Sequence, residues 1–434
     1  MNNDTRYSFG GFYHPAFFRM NVPTAESLLN LNELPEPSHS FYFHEYLHFL
    51  QDVSTSDALA NAGMVGNYLR YAVQQLKLPG TVLPLRVPPD AIIAPQQALR
   101  RLYLGAPLNQ AQPRMLKVQQ VSYLPASVKL PDGREPMRVE LTFTGGERYD
   151  FGATWLCESM AYLAENLVYP AALPPQQVAY RAAELIVESY YPRLLRQSRL
   201  NVLALCDASL LFYHPGQAFF LILKQMRAQN WLPLLPEEVY SFAQQALPFD
   251  FQGLTSTQQL LHFSGTQAIE MLTGYFTDNV FSANALWIQE VIRRAEVLRQ
   301  KHPHFMVELV QQGPLKTNPL FRHLTSWLGS PVTTNNEDES SMVVMEGFAL
   351  TAELHPDLFR AIRQILLLFT QGQRGCEMRA HCQKTCDEQE RPDFTDARCK
   401  TAPWLRSSDV DRCAYAVVWH MWGLTGLTPT FAPR

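Results

Sequence analysis

No stretch of this chain reaches the roughly 18 uninterrupted apolar residues that a membrane-spanning helix needs. The most apolar segments, Ile362 to Phe369 with Arg363 and Gln364 inside it and Cys413 to Trp419, stop well short, so no membrane span is expected. Nor is there a basic block. Lys and Arg total 36 against 40 Asp and Glu, and without a basic stripe a nucleic-acid partner lacks its electrostatic attraction. The start, Met1-Asn2-Asn3-Asp4-Thr5-Arg6, has no apolar run of a secretory leader behind it, which makes the cytoplasm the expected compartment. No repeat of fixed period occurs. What the chain does have is 434 residues at 47 % hydrophobic content, enough to bury a substantial core in two or three domains.

The most informative stretch is His44-Glu45-Tyr46-Leu47-His48. In a helix, positions four apart share a face, so His44 and His48 can aim two ring nitrogens at one metal ion. Glu45 beside them is placed to take a proton from a metal-activated water and return it to a leaving group. Apolar Phe41, Tyr42, Phe49 and Leu50 surround the motif, and Pro37, Ser38 and Ser40 supply breaker and capping residues upstream. Asp52, one turn past His48, can accept the other imidazole N–H and fix its tautomer. The bland alternative is a pair of satisfied core histidines with a chance glutamate between them.

This HExxHxxxD run with Ser54 behind it resembles the zinc helix of the thermolysin-like gluzincins. A metzincin would need Gly and His where Gln51 and Ser54 stand, which excludes that family. Catalytic zinc usually takes three protein ligands, and the run Trp155-Leu156-Cys157-Glu158-Ser159-Met160-Ala161-Tyr162 resembles the third-ligand segment of gluzincins, including the Trp-Leu-x-Glu-x-x-Ala form of zinc aminopeptidases. The resemblance implies Glu158 as third ligand. Cys157 and Tyr162 depart from it, standing where those families carry Asn and, in thermolysin-like enzymes, an acid. Tyr162 is a candidate for supporting the site or stabilising an oxyanion. Met345-Glu346-Gly347-Phe348-Ala349 carries the same Glu-x-x-Ala spacing, and Glu346 is the alternative ligand.

Along the chain, aromatic residues 1 to 36 read as an extended segment packed on the core. Ser56-Asp57 can cap a helix to about Leu78, after which seven prolines between Pro79 and Pro113 break regular structure into a surface excursion. Short strands then follow from Val118 to Tyr123, around Val128 to Leu130, from Met137 to Phe143 and from Arg148 to Phe151. Helical periodicity dominates near 175–195, 200–229, 236–247, 255–300 and 343–371. His214 beside Pro215 is a lone histidine of capping type that can alternatively face the site as an electrophile. The acidic run 334–341 reads as a mobile loop. The expected fold is mainly α with a small antiparallel sheet, α+β. It divides into a zincin-like core (1–170), a helical domain (171–371) and a Cys-rich C-terminal segment (372–434).

Four of seven cysteines, Cys376, Cys382, Cys386 and Cys399, crowd together near the C-terminus, with Cys413 further on. Four thiolates suit a structural zinc or an iron–sulfur cluster, but the spacing matches neither familiar pattern, and free or disulfide-linked cysteines stay open. The functional expectation is a zinc metallohydrolase, first of all a peptidase acting on a peptide or protein substrate, with zinc on His44, His48 and Glu158 and Glu45 as general base. The rivals are a catalytically silent zincin-like scaffold and an effector protease held or released by a protein partner.

Overall fold

The structure is a computed structural model describing residues 6–7, 11–89, 91–108, 112–113, 115–126, 135–170, 178–247, 253–348, 353–388 and 395–433. Its organising element is helix α1 (Glu36–Ser54). Pro35 takes the N-cap position and Pro37 lies in the first turn, where a missing N–H costs nothing because those amides have no partner within the helix. The helix therefore begins earlier than the expected breaker and capping residues imply, and Ser38 and Ser40 lie inside it. From Tyr42 onward α1 is buried on all sides, so the polar side chains of His44, Glu45, His48, Gln51 and Asp52 lie inside the protein among its apolar ones. It stops at Thr55, which is extended and whose hydroxyl accepts from the Ala58 N–H. Thr55, rather than Ser56 or Asp57, thus caps helix α2 (Ser56–Leu76).

Gly66 lets α2 lie directly on the helix Thr257–Thr273, since a Cβ there would stand 2.7 Å from Cβ of Met271. Within the proline-rich stretch the structure forms helix α3 (Ala94–Leu104), with Pro95 in its first turn. Arg100 of α3 grips Asp57 at the start of α2 through both terminal guanidinium nitrogens, the longer contact being 3.1 Å, and its Nε donates to Asn61 at 3.1 Å. A surface excursion was expected here, but this buried ion pair ties the segment down.

An antiparallel sheet of Val118–Pro125, Met137–Phe143 and Arg148–Phe151 follows, in that spatial order. Its register pairs Val121 with Leu141 and Val139 with Phe151, placing alternate apolar residues on one face. The expected strand at Val128 to Leu130 lies outside the described residues. The last strand passes through Gly152 straight into helix α4 (Ala153–Val168). A Cβ on Gly152 would meet the Leu104 carbonyl at 2.5 Å, so this strand-to-helix junction needs glycine.

The molecule is 58 % helix with about 9 % strand, mainly α with small sheets. A second sheet was not legible in the sequence. It joins Arg6–Tyr7, Phe12–His14 and Arg19–Asn21 to Val332–Thr334 and Ser340–Ser341, with Arg19–Asn21 parallel to Val332–Thr334. The loop expected over 334–341 is the tip of the hairpin formed by the last two of these strands, its turn at 335–339 held by Asn335, which accepts from the Glu337 and Glu339 amides and donates to Glu26 O. The helix expected from 343 begins only at Asp357. Val82–Leu83 pairs with Thr430–Phe431. Strand pairing thus crosses the expected boundaries at 170 and 371, and one continuous apolar core runs through all three segments.

Behind the site, Asp207 and Arg299 form a buried two-bond pair at 2.6 and 2.7 Å. Tyr240 also donates to Asp207, and Arg299 Nε donates to the Ser54 carbonyl at the C-terminal end of α1. The pair anchors α1 to the helical body.

Candidate metal centre

His44 and His48 sit one turn apart on α1 with ring centroids 5.0 Å from each other. Glu158 projects from the second turn of α4, and its Oε2 lies 3.4 Å from Nε2 of each histidine. The three residues are fully buried. Among the described residues, His44 Nε2 and both Glu158 oxygens make no hydrogen bond, which for buried polar atoms is costly unless something else satisfies them. Ligand atoms roughly 2.0 to 2.2 Å from a tetrahedral ion stand about 3.3 to 3.6 Å apart, and 3.4 Å falls in that range. Among the described residues this is the one group of three His, Cys, Asp or Glu side chains close enough to share an ion.

The outer nitrogens are fixed as a zinc site requires. His44 Nδ1 donates to Glu165 Oε2 at 2.9 Å, and Ser40 donates to the other Glu165 oxygen. Glu165 lies two turns beyond Glu158 on the same face of α4. On the second histidine, Nδ1 donates to Gln51 Oε1 at 2.8 Å, while Gln51 Nε2 donates to the Cys157 carbonyl at 3.2 Å. Because the amide nitrogen must face the carbonyl, Oε1 faces the imidazole. His48 is therefore protonated on Nδ1, and Nε2 keeps its lone pair for an ion.

Asp52 was expected in the place that Gln51 takes at Nδ1. It instead accepts from the Tyr13 hydroxyl at 2.8 Å and the Ala16 N–H at 2.9 Å, joining α1 to the N-terminal hairpin.

Three carboxylates, Glu45, Glu158 and Glu165, crowd two imidazoles in this buried region. Burial alone would raise the Glu158 pKa, yet the two imidazoles facing it, His48 first and then His44, hold it at about 2. Burial likewise opposes a charged His44, but Glu158 and Glu165 raise its pKa to about 10. Three acids packed against two imidazoles favour positive charge in this region, and a divalent cation can supply it.

Tyr180 is a further residue at the site that sequence reasoning passed over. Its ring lies 6.0 Å from that of His44. Ser159 holds it there: the hydroxyl next to Glu158 donates to Ala179 O at 2.6 Å and accepts from Ala183 N at 3.2 Å. Burial, then Glu158, Glu45 and Glu165, raise the Tyr180 pKa far above its ordinary value, so it is a neutral phenol able to donate. Tyr162, expected nearer the chemistry, packs on Tyr180 with centroids 6.2 Å apart.

The chain matches no protein-family model, no curated protein and no solved structure.

The other expectations fall outside this centre. Glu346 is exposed in a turn and accepts from Ser326, so the alternative ligand is not near the histidines. His214 Nε2 bonds to Met137 O at 2.8 Å and its ring packs 4.2 Å from Tyr103. It is a joint between sheet and helix, with its pKa lowered to about 4 by burial. All seven cysteines are free. Cys376 and Cys399 are joined by a backbone hydrogen bond of 2.8 Å, and Arg406 donates to Cys399 Sγ at 3.4 Å. Burial and the neighbouring thiols, with Cys413 among them, raise the Cys376 and Cys382 pKa to about 12. Among the described residues no three of these sulfurs lie within 4.8 Å of one another, a wider spread than one zinc ion spans.

Proposed function

We propose that this protein is a zinc-dependent hydrolase acting on peptide bonds, with the ion on His44, His48 and Glu158 and Glu45 as general base. The observation that carries the reading is the convergence of three buried ligand atoms at 3.4 Å spacing, with both imidazoles' outer nitrogens already engaged. Zinc is favoured over magnesium or calcium because two imidazoles and one carboxylate form its usual catalytic set, with a fourth position left for water. Bound there, the ion would polarise a carbonyl and bring the pKa of water down toward about 7.

Glu45 then takes the proton of the attacking water and delivers it to the leaving amine. Its carboxylate acts on both His44 and Tyr180, so it lies beside the ligand set without belonging to it. The Tyr180 phenol is the donor for negative charge developing on the carbonyl oxygen. Glu165 and Gln51 keep the two imidazoles oriented.

A second reading is favoured by one observation: Glu45, His44, His48 and Glu158 have at most 1 % of their surface exposed. This is the closed form of a hydrolase that a substrate or protein partner must open. The test is digestion of peptide libraries by the purified chain, alone and co-expressed with candidate partners, before and after chelation. Cleavage that a chelator abolishes and zinc restores is the expected result. Cleavage that survives complete metal removal overturns the proposal. In the same assay Tyr180→Phe is expected to lose roughly 10²-fold in rate while keeping its zinc, the cost of one oxyanion donor; an unchanged rate removes Tyr180 from the mechanism.

A further inference from the structure

A cavity of about 280 Å³ lies between the N-terminal hairpin and the helix Asp357–Gln371, apart from the metal centre. His14, Arg19, Arg360 and Arg363 line it, with Asp338 and Glu377 in the same wall. Arg360 and Arg363 are 6 % and 8 % exposed and His14 is 4 % exposed. Nε of Arg19, Nε and Nη1 of Arg360 and Nδ1 of His14 are buried and make no hydrogen bond among the described residues.

Among the described residues the nearby acids answer these cations only in part: Glu377 pairs with Arg363, while Arg19 and Arg360 have no hydrogen-bonded acid. Glu377 is 3.2 Å from Arg363 and also accepts from Gln373. Asp357 stands 3.9 Å from Arg360 Nη1, beyond hydrogen-bond reach, and is bound at 3.1 Å by His381. Asp338 acts on Arg19 only through space. Burial, followed by the like charges of Arg360 and Arg363, lowers the Arg19 pKa to about 9. A protein that buries three guanidinium groups against one another incurs desolvation and repulsion, and does so where an anion from outside the chain returns the difference.

Guanidinium forks match the oxygens of a phosphoryl group, and a phosphate dianion offers enough acceptors for several arginines at once. The two carboxylates in the wall would repel an anion made of phosphate alone, but they are suited to accept hydroxyl protons. The volume is at the small end for ligand sites, too small for a macromolecular segment. We propose that this cavity binds a small hydroxylated phosphate monoester, its phosphate on Arg19, Arg360 and Arg363 and its hydroxyls on Asp338 and Glu377.

The test is isothermal titration of the full-length chain with ribose 5-phosphate, ribose and inorganic phosphate, at constant ionic strength in chloride. Ribose 5-phosphate should bind, more tightly than inorganic phosphate, and ribose should not bind. Arg360→Met and, at the less buried position, Arg19→Met should each weaken binding by at least about tenfold, as loss of a charge-assisted contact does. Arg322→Met, at an exposed position of the helix Pro319–Leu328 that does not line the cavity, should bind as the wild type does. Folding of each variant is checked by circular dichroism, and the wild-type melting temperature should rise with ribose 5-phosphate. The proposal is overturned if neither phosphate compound binds at millimolar concentration. It is equally overturned if ribose binds as well as its phosphate, if inorganic phosphate alone binds, or if a folded Arg19→Met protein binds like the wild type.

Discussion

Glu45→Gln is expected to leave the fold and the bound zinc unchanged while removing hydrolysis. The two roles separate because Glu45 is fully buried beside the ligands yet contributes no ligand atom. Its amide keeps the size and hydrogen-bonding outline of the acid, so neither packing nor metal affinity has reason to change. Proton transfer cannot survive the substitution. Loss of general acid–base catalysis removes about 10²- to 10⁴-fold in rate, on the order of 3 to 5 kcal/mol of barrier. Fragment ends mapped by mass spectrometry on peptide libraries provide the comparison. A variant that cuts at the wild-type rate means that Glu45 is not the base.

The largest expected effect on stability is at Asp207. Asp207→Ala would strand Arg299, 3 % exposed and bonded to that carboxylate through two nitrogens. Removing one partner of a buried pair costs about 3 to 5 kcal/mol, because the remaining charge stays buried without compensation. Tyr240 would lose its acceptor as well. The damage should reach the metal centre, since Arg299 also holds the Ser54 carbonyl at the end of the helix that carries both histidines. Urea unfolding followed by circular dichroism measures the loss. A change below about 1 kcal/mol would mean that the region relaxes to admit water.

The parts of the centre that could be read in the sequence are those set by one helix at a time. His44, Glu45 and His48 follow from helical spacing, and Glu158 from the resemblance of the run Trp155 to Tyr162 to a gluzincin third-ligand segment. What the sequence hid depends on elements meeting. Gln51 and Asp52 follow His48 at three and four residues, so both offered its imidazole a partner on the same face. The Cys157 carbonyl of α4 decides between them, because only an amide can donate to it while accepting from His48. Glu165 was visible as an acid seven residues past Glu158, but its partner His44 lies on another helix. Tyr180 is positioned by Ser159, a contact between segments.

The same reasoning explains the sheet joining Arg19–Asn21 to Val332–Thr334: strands of three residues, hundreds of positions apart, leave too little periodicity to detect. Proline counting failed at α3 because Pro95 opens that helix rather than breaking it. The acidic run 334–341 reads as loop by composition, and its centre is one; what composition does not show is that it closes a hairpin whose turn Asn335 holds through its own side chain.

The central claim is that His44, His48 and Glu158 hold one zinc ion. Elemental analysis of the purified wild type, the His44→Ala/His48→Ala variant, Glu158→Gln and Glu346→Gln tests it most directly. About one zinc per chain is expected in the wild type and in Glu346→Gln, with loss in the double variant and weakened retention in Glu158→Gln. Equal zinc in the wild type and the double variant would contradict the assignment.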